Sequence, residues 1–262
     1  MRYTDISKLK VIGILIALVA IGCGAAYQFI TDKKDSESHI VDQIDNDTGI
    51  LMDNQFNDVD ELNIEVVHME DELAFSFDRN QFMAALDKCY ADNRGKRFIS
   101  DTAVWTAVTC KSTPHSKQKS IGYVFTNDAE VQALPTITLY TQLKDSKVQL
   151  ITINFDEHSF ETSMKEMYDD MCFYALKLIY KEIEDKTLLD ISKDIYTKAQ
   201  KYITDVPYTQ GSLPSILYYK DDVGVYPYFQ VGSWVRMCII PVDQELIEYY
   251  ENKGVEVIKI IS

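Results

Sequence analysis

Histidine is scarce in this chain: its 262 residues hold four, His39, His68, His115 and His158. The one suggestive spacing, His158 with Glu161 at a helix start, supplies two ligands where metal sites need three or four. Cysteine never occurs as C-x-x-C, and no glycine-rich phosphate loop is present. Gly211-Ser212 does not extend to a nucleophile elbow. Ser116-Lys117-Gln118-Lys119 satisfies S-x-x-K, but in a polar loop and without the S-D-N and K-T-G partners that such enzymes need. These absences leave no catalytic residue, cofactor or metal to assign. Positive charge is short too. Lys and Arg total 26 against 41 Asp and Glu, a net charge of -15, and this excludes nucleic acid as a partner because phosphate binding needs a basic surface.

The acid is concentrated. Thr31 to Glu72 holds fourteen Asp and Glu against Lys33 and Lys34, a local balance of -12, so the rest of the chain sums to about -3. Residues 31–63 are polar and aperiodic, as expected of a solvated linker. Asp45, Asp47 and Gly49 do not make a calcium loop: with Gly49 sixth, Ile44 and Gln55 fall where Asp and a bidentate Glu are required. Fully extended at about 3.3 Å per residue, such a linker reaches ~100 Å.

Ahead of it lies the longest uncharged run, Val11 to Ile30, preceded by Arg2, Lys8 and Lys10. Twenty such residues suffice to span a bilayer. A basic start before an apolar core is the layout of an export signal, with the bulk of the chain delivered outside the cytoplasm. Within the run, Ala20-Ile21-Gly22-Cys23 resembles a bacterial lipobox, which implies lipidation at Cys23. Ala20 departs from the Leu usual there. The alternatives are an uncleaved helical anchor through Ile30 and simple cleavage near Ala26. The expected organisation is residues 1–30 as signal or anchor, 31–63 as acidic linker, and 64–262 as an extracytoplasmic domain with possible sub-units 73–142 and 147–262.

An apolar fraction of 46% places that last part among globular chains. Leu73 to Phe77 reads as a strand, and Asp78 with Gln81 has capping-box spacing for a helix ending near Gly95. Strands follow at residues 103–109, 121–126, 136–142 and 148–155, then helices from Asp156 past Leu178 and at 188–203. Strands at 215–220, 223–230 and 234–240 come next. A helix then starts at Asp243, with Val242 and Ile247 at staple positions, and 255–261 makes a last strand. Phe77-Asp78 to Phe82 and Phe155-Asp156 to Phe160 share F-D-x-x-x-F. The expected fold is α+β, a mainly antiparallel sheet with helices on one face, with two degenerate β-α-β-β-β units as one reading of its order.

Three surface features stand out. Lys88, Arg94, Lys96, Arg97, Lys111, Lys117 and Lys119 form a basic island, opposed only by Asp92 and Asp101. Tyr218, Tyr219, Tyr226, Tyr228, Phe229 and Trp234 crowd into seventeen residues, with Tyr218, Tyr226, Tyr228 and Trp234 as ligand-contact candidates. Pro227 points to an edge strand. Cys89, Cys110, Cys172 and Cys238 read as buried thiols, with Cys89–Cys110 the best disulfide exception. His68 is expected to be exposed. The leading functional expectation is a membrane-tethered binding or accessory module of the bacterial cell envelope, with a protein or glycan ligand. An envelope hydrolase with a dispersed Asp/Glu/Ser/His site, or a structural protein dimerising through a sheet edge, is the alternative.

The mature N-terminus separates the leader's fates. In native membranes, mass spectrometry that finds a chain beginning at a lipidated Cys23, with Cys23→Ala losing the modification, means a lipid anchor. A retained Met1 means an uncleaved anchor instead.

Overall fold

Apolar side chains that recur at every second residue from β3 to β9 build the centre of the molecule. The computed structural model describes residues 61–69, 72–100, 103–110, 120–126, 136–142, 146–155, 162–204, 213–230 and 234–261. The expected leader, Cys23 and nearly all of the linker lie outside them. A hairpin of β1 (Val66–Met69) and β2 (Glu72–Phe75) comes first, followed by α1 (Arg79–Arg94). Then come β3 (Val104–Cys110), β4 (Ser120–Thr126), β5 (Thr136–Gln142) and β6 (Val148–Phe155). Two helices, α2 (Thr162–Ile179) and α3 (Asp185–Thr204), precede β7 (Ile216–Lys220), β8 (Val223–Gln230) and β9 (Trp234–Pro241). The chain closes with α4 (Gln244–Asn252) and β10 (Glu256–Lys259). The fold is α+β.

Eight strands form one sheet in the order β10-β7-β8-β9-β6-β5-β4-β3, antiparallel except for the β10–β7 pair. Register aligns Val225, Ile239, Ile151, Leu139 and Tyr123 in one row and Met237, Ile153, Ile137, Phe125 and Trp105 in the next. All ten are buried. Burying each large aliphatic or aromatic side chain contributes about 1.5–3 kcal/mol before chain entropy is set against it. Helices α1 to α3 cover this face. Tyr218 shares it with Val225, and its hydroxyl donates to Asp194 of α3 at 2.7 Å. Just after α2, the Tyr180 hydroxyl donates to the Val223 carbonyl at 3.0 Å.

The expectation of helices on one face holds for three of the four. The last helix, α4, packs on the opposite face, where Ile247 and Tyr250 meet Tyr226, Cys238, Ile240, Leu150 and Tyr140. The reason is the hydrophobic row on that face, which a single layer of helices would leave in water. Asp243 caps α4 by accepting from the Leu246 amide at 2.8 Å, with Val242 and Ile247 buried on either side of the cap as the staple spacing predicts.

Helix α1 begins as the capping box predicts. Asp78 accepts from the Asn80 and Gln81 amides, and Gln81 accepts from the Asp78 amide at 2.8 Å. It ends at Gly95, whose φ of 69° is left-handed. The carboxylate of Asp87, itself buried, then accepts from the Phe98 and Ile99 amides at 2.7 and 2.8 Å and fastens the turn after the helix. Strand β1 has no counterpart among the sequence-based expectations. Its hairpin with β2 packs on β6 and β9. Leu62 is buried, and Lys181 holds Glu61 at 2.9 Å, so the folded part starts slightly before the expected linker boundary at 63.

One further expectation needs correction. Pro227 does not mark an edge strand, for β8 pairs with both β7 and β9. The β7 pairing stops at Val225, so Pro227 sits where β8 has lost its neighbour on that side and no ladder amide is missed. The two-unit reading expects similar halves, and each helical region is indeed followed by three antiparallel strands. However, β5 and β9 flank β6 in the same direction beneath helices on the same face. A rotation that exchanges the two sides would swap the faces, so the halves are not related by a two-fold. Residues 156–160 of the second F-D-x-x-x-F lie outside the described residues.

Gly224 marks a close approach in the sheet. A Cβ there would stand 2.8 Å from Val242 Cγ1 and 2.9 Å from Leu217 Cδ1, both in the α4 core. Gly224→Ala is expected to destabilise the domain by about 1–3 kcal/mol, read as a lower urea midpoint with an unchanged m-value.

Candidate functional site

The aromatic cluster near β8 divides between core and surface. Tyr226 is 1% exposed and stacks obliquely on Tyr250, ring centres 6.4 Å apart, beside Cys238. It is a core residue and not a ligand contact, because β8 alternation turns it under α4. Tyr218 is half-buried and engaged with Asp194, which also pairs with Lys198 at 2.5 Å. Tyr228 is partly buried against the α4 core, and the Trp234 side chain lies outside the described residues. The three described tyrosines form no shared aromatic surface.

The basic island is partly neutralised. Arg94 pairs with Asp170 across α1 and α2, and Arg97 pairs with Asp87 at 2.7 Å. Lys88 and Lys96 are exposed, while Lys111, Lys117 and Lys119 lie outside the described residues. Cys89, Cys172 and Cys238 are thiols, so the Cys89–Cys110 bridge is not formed. Cys89 is directed toward the α1–α2 contact near Lys177, and burial raises its pKa. His68 is exposed. Among the described residues no three His, Cys, Asp or Glu cluster to hold a metal ion, and no helix is long and apolar enough to cross a membrane.

A different constellation has the geometry of a binding site. Arg79, the first residue of α1, holds its guanidinium carbon 3.7 Å from the centre of the Tyr123 ring and 6.0 Å from that of Trp105. Tyr123 and Trp105 meet edge to face at 6.4 Å and 88°, and Trp105 rests on Phe125 at 5.2 Å. Both are nearly buried, at 8% and 7% exposure, while Arg79 is half-exposed. The Arg79 N–H groups meet no acceptor among the described residues. The Trp105 indole Nε1 is buried and likewise without an acceptor. An unsatisfied buried donor costs about 1–3 kcal/mol, and a guanidinium stacked on a ring contributes about 0.5–2 kcal/mol while leaving its edge donors unused. The nest therefore presents two kinds of N–H donor that meet no acceptor among the described residues.

Position made Arg79 inconspicuous in the sequence. It stands in the first turn of α1, where the helix macrodipole disfavours a cation and the turn itself carries no acidic residue beyond the Asp78 cap. That misplaced charge was the available signal. Trp105 was recognisable only as a strand residue, since nothing in the sequence places β3 and β4 beneath the start of α1.

Comparison with known protein families, with curated proteins and with solved structures finds no match for this chain in any of the three. The class defined by the fold is an α+β domain with an eight-stranded mixed sheet, and function has to be argued from the site.

The buried tyrosines predict a limit at high pH. Burial pushes the Tyr226 and Tyr250 phenols well above their ordinary value near 10, with the neighbouring Cys238 adding to it. Burial does the same for Tyr180. Because the folded state binds these protons more tightly than the unfolded chain, their contribution is complete below about pH 10 and is lost as pH rises toward the folded values. The urea midpoint is expected to fall above about pH 10, less steeply in Tyr226→Phe; a flat profile to pH 11.5 would contradict the burial.

Proposed function

We propose that this protein is a membrane-tethered, extracytoplasmic binding or accessory module of the cell envelope, with the Arg79–Trp105–Tyr123 nest as its point of recognition. The charge-poor leader with its basic flank supports the address. The recognition rests on one observation, an arginine held over two aromatic rings with its donors unused among the described residues. Arg, Trp and Tyr are the residues most enriched where a few side chains carry most of a binding energy. Their rigidity here lowers the entropy cost of engagement. A nest made of donors without a nucleophile or a base serves recognition better than bond cleavage.

The test uses the full-length protein in its own membranes. Protease added outside intact cells is expected to digest the domain, and isolated envelope fractions are expected to compete for solubilised protein in an Arg79-dependent way. Arg79→Ala should weaken retention by roughly 5–100-fold, the effect of losing one hot-spot side chain. A protected domain overturns the address; equal retention of wild type and Arg79→Ala overturns the site.

A further inference from the structure

We infer that the nest formed by Arg79, Trp105 and Tyr123 binds a carboxylate. This rests on the reading of the nest as the recognition point and adds the chemistry of what it recognises.

The inference follows from what the site offers and what it lacks. Arg79 supplies a planar fork of N–H donors and one positive charge that never titrates in the ordinary range. Stacking on Tyr123 at 3.7 Å occupies the face of the guanidinium and leaves its edge for an in-plane acceptor. Carboxylates accept such a fork through two oxygens lying in its plane. The second donor, Trp105 Nε1, is neutral, buried and without an acceptor. The Arg79 guanidinium carbon stands 6.0 Å from the Trp105 ring centre, so both residues border the same nest.

Charge selects among anions. The nest holds one cation and one neutral donor, balanced by the single charge of a carboxylate. A phosphate dianion would keep an uncompensated charge against the walls of Trp105, Tyr123 and Phe125. The pairing of Arg97 with Asp87 and of Arg94 with Asp170 removes the two other arginines of α1 and its following turn from the contest. Arg79 is the arginine in this region whose donors remain unused among the described residues.

The experiment uses the full-length protein in detergent micelles, labelled with 15N at the indole nitrogens. The chain has two tryptophans, so Trp234→Phe assigns the Trp105 resonance. Sodium acetate is titrated at constant ionic strength against sodium chloride and sodium phosphate. A neutral peptide bearing one Glu side chain and an amidated end, and one bearing only a free C-terminus, then separate the two sources of carboxylate. The expected result is a saturable shift of the Trp105 indole with acetate, weakened at least tenfold in Arg79→Gln and partly kept in Arg79→Lys. No shift, an equal shift in Arg79→Gln, or preference for phosphate overturns the carboxylate. If acetate fails while Arg79-dependent envelope retention persists, the carboxylate is wrong and the binding module stands. If both fail, the nest is packing alone.

Discussion

Strand β6 is the constraint on which the rest of the structure depends. Val148 to Ile153 are six consecutive buried residues, so both faces of this strand are covered and both its edges are paired, with β5 and β9. A strand in that position has no solvent side to which a polar residue could be moved. Ile151 and Ile153 face α1 to α3; Leu150 faces α4. The two antiparallel triplets, β3-β4-β5 and β7-β8-β9, are joined only through it within the sheet. Even the β1–β2 hairpin reaches the sheet there, where the Val148 amide donates to the Phe77 carbonyl at 3.3 Å.

Burial this complete favours local partners for the polar groups on it. Thr152 reaches the Thr138 carbonyl from its hydroxyl, and Gln149 donates to Glu72 of β2. The same rule explains Asp87, whose carboxylate takes two amides and Arg97 at the turn after α1, and Tyr180, whose hydroxyl ties the end of α2 to β8. Trp105 Nε1 and Gln149 Oε1 are the exceptions among the described side chains. One of these two atoms lies beside an arginine that itself meets no acceptor among the described residues. Two complementary deficits in one place weigh more than either alone, since each could otherwise be a local imperfection of packing.

Arg79 also shows how a fold gives a residue a role that its own element opposes. At the start of a helix a cation meets the positive end of the macrodipole, worth about 0.3–1 kcal/mol against it. The rings of Tyr123 and Trp105 offset that cost through their negative faces. The helix gains nothing from Arg79 that a serine or a glutamate would not give it. What it provides is a rigid placement of the guanidinium, because the Asp78 cap holds the first turn while β3 and β4 hold the rings.

Local signals carried most of the elements. Asp78 with Gln81, Gly95, and Val242-Asp243 with Ile247 mark helix ends through bonds and contacts made within a few residues, so they are legible without the fold. Alternation located the strands for the same reason, with β5, β6 and β8 found at their observed limits. Tertiary structure decided what local chemistry cannot. Whether Tyr226 faces water or α4 depends on which side of the sheet the later helix at Gln244–Asn252 comes to lie. Whether Arg97 is a surface charge depends on a turn that returns it to Asp87. The nest depends on three residues from α1, β3 and β4 meeting at one point, and no spacing in the chain records that meeting. Short-range hydrogen bonding and periodicity are written in sequence order; burial and convergence are properties of the packed sheet.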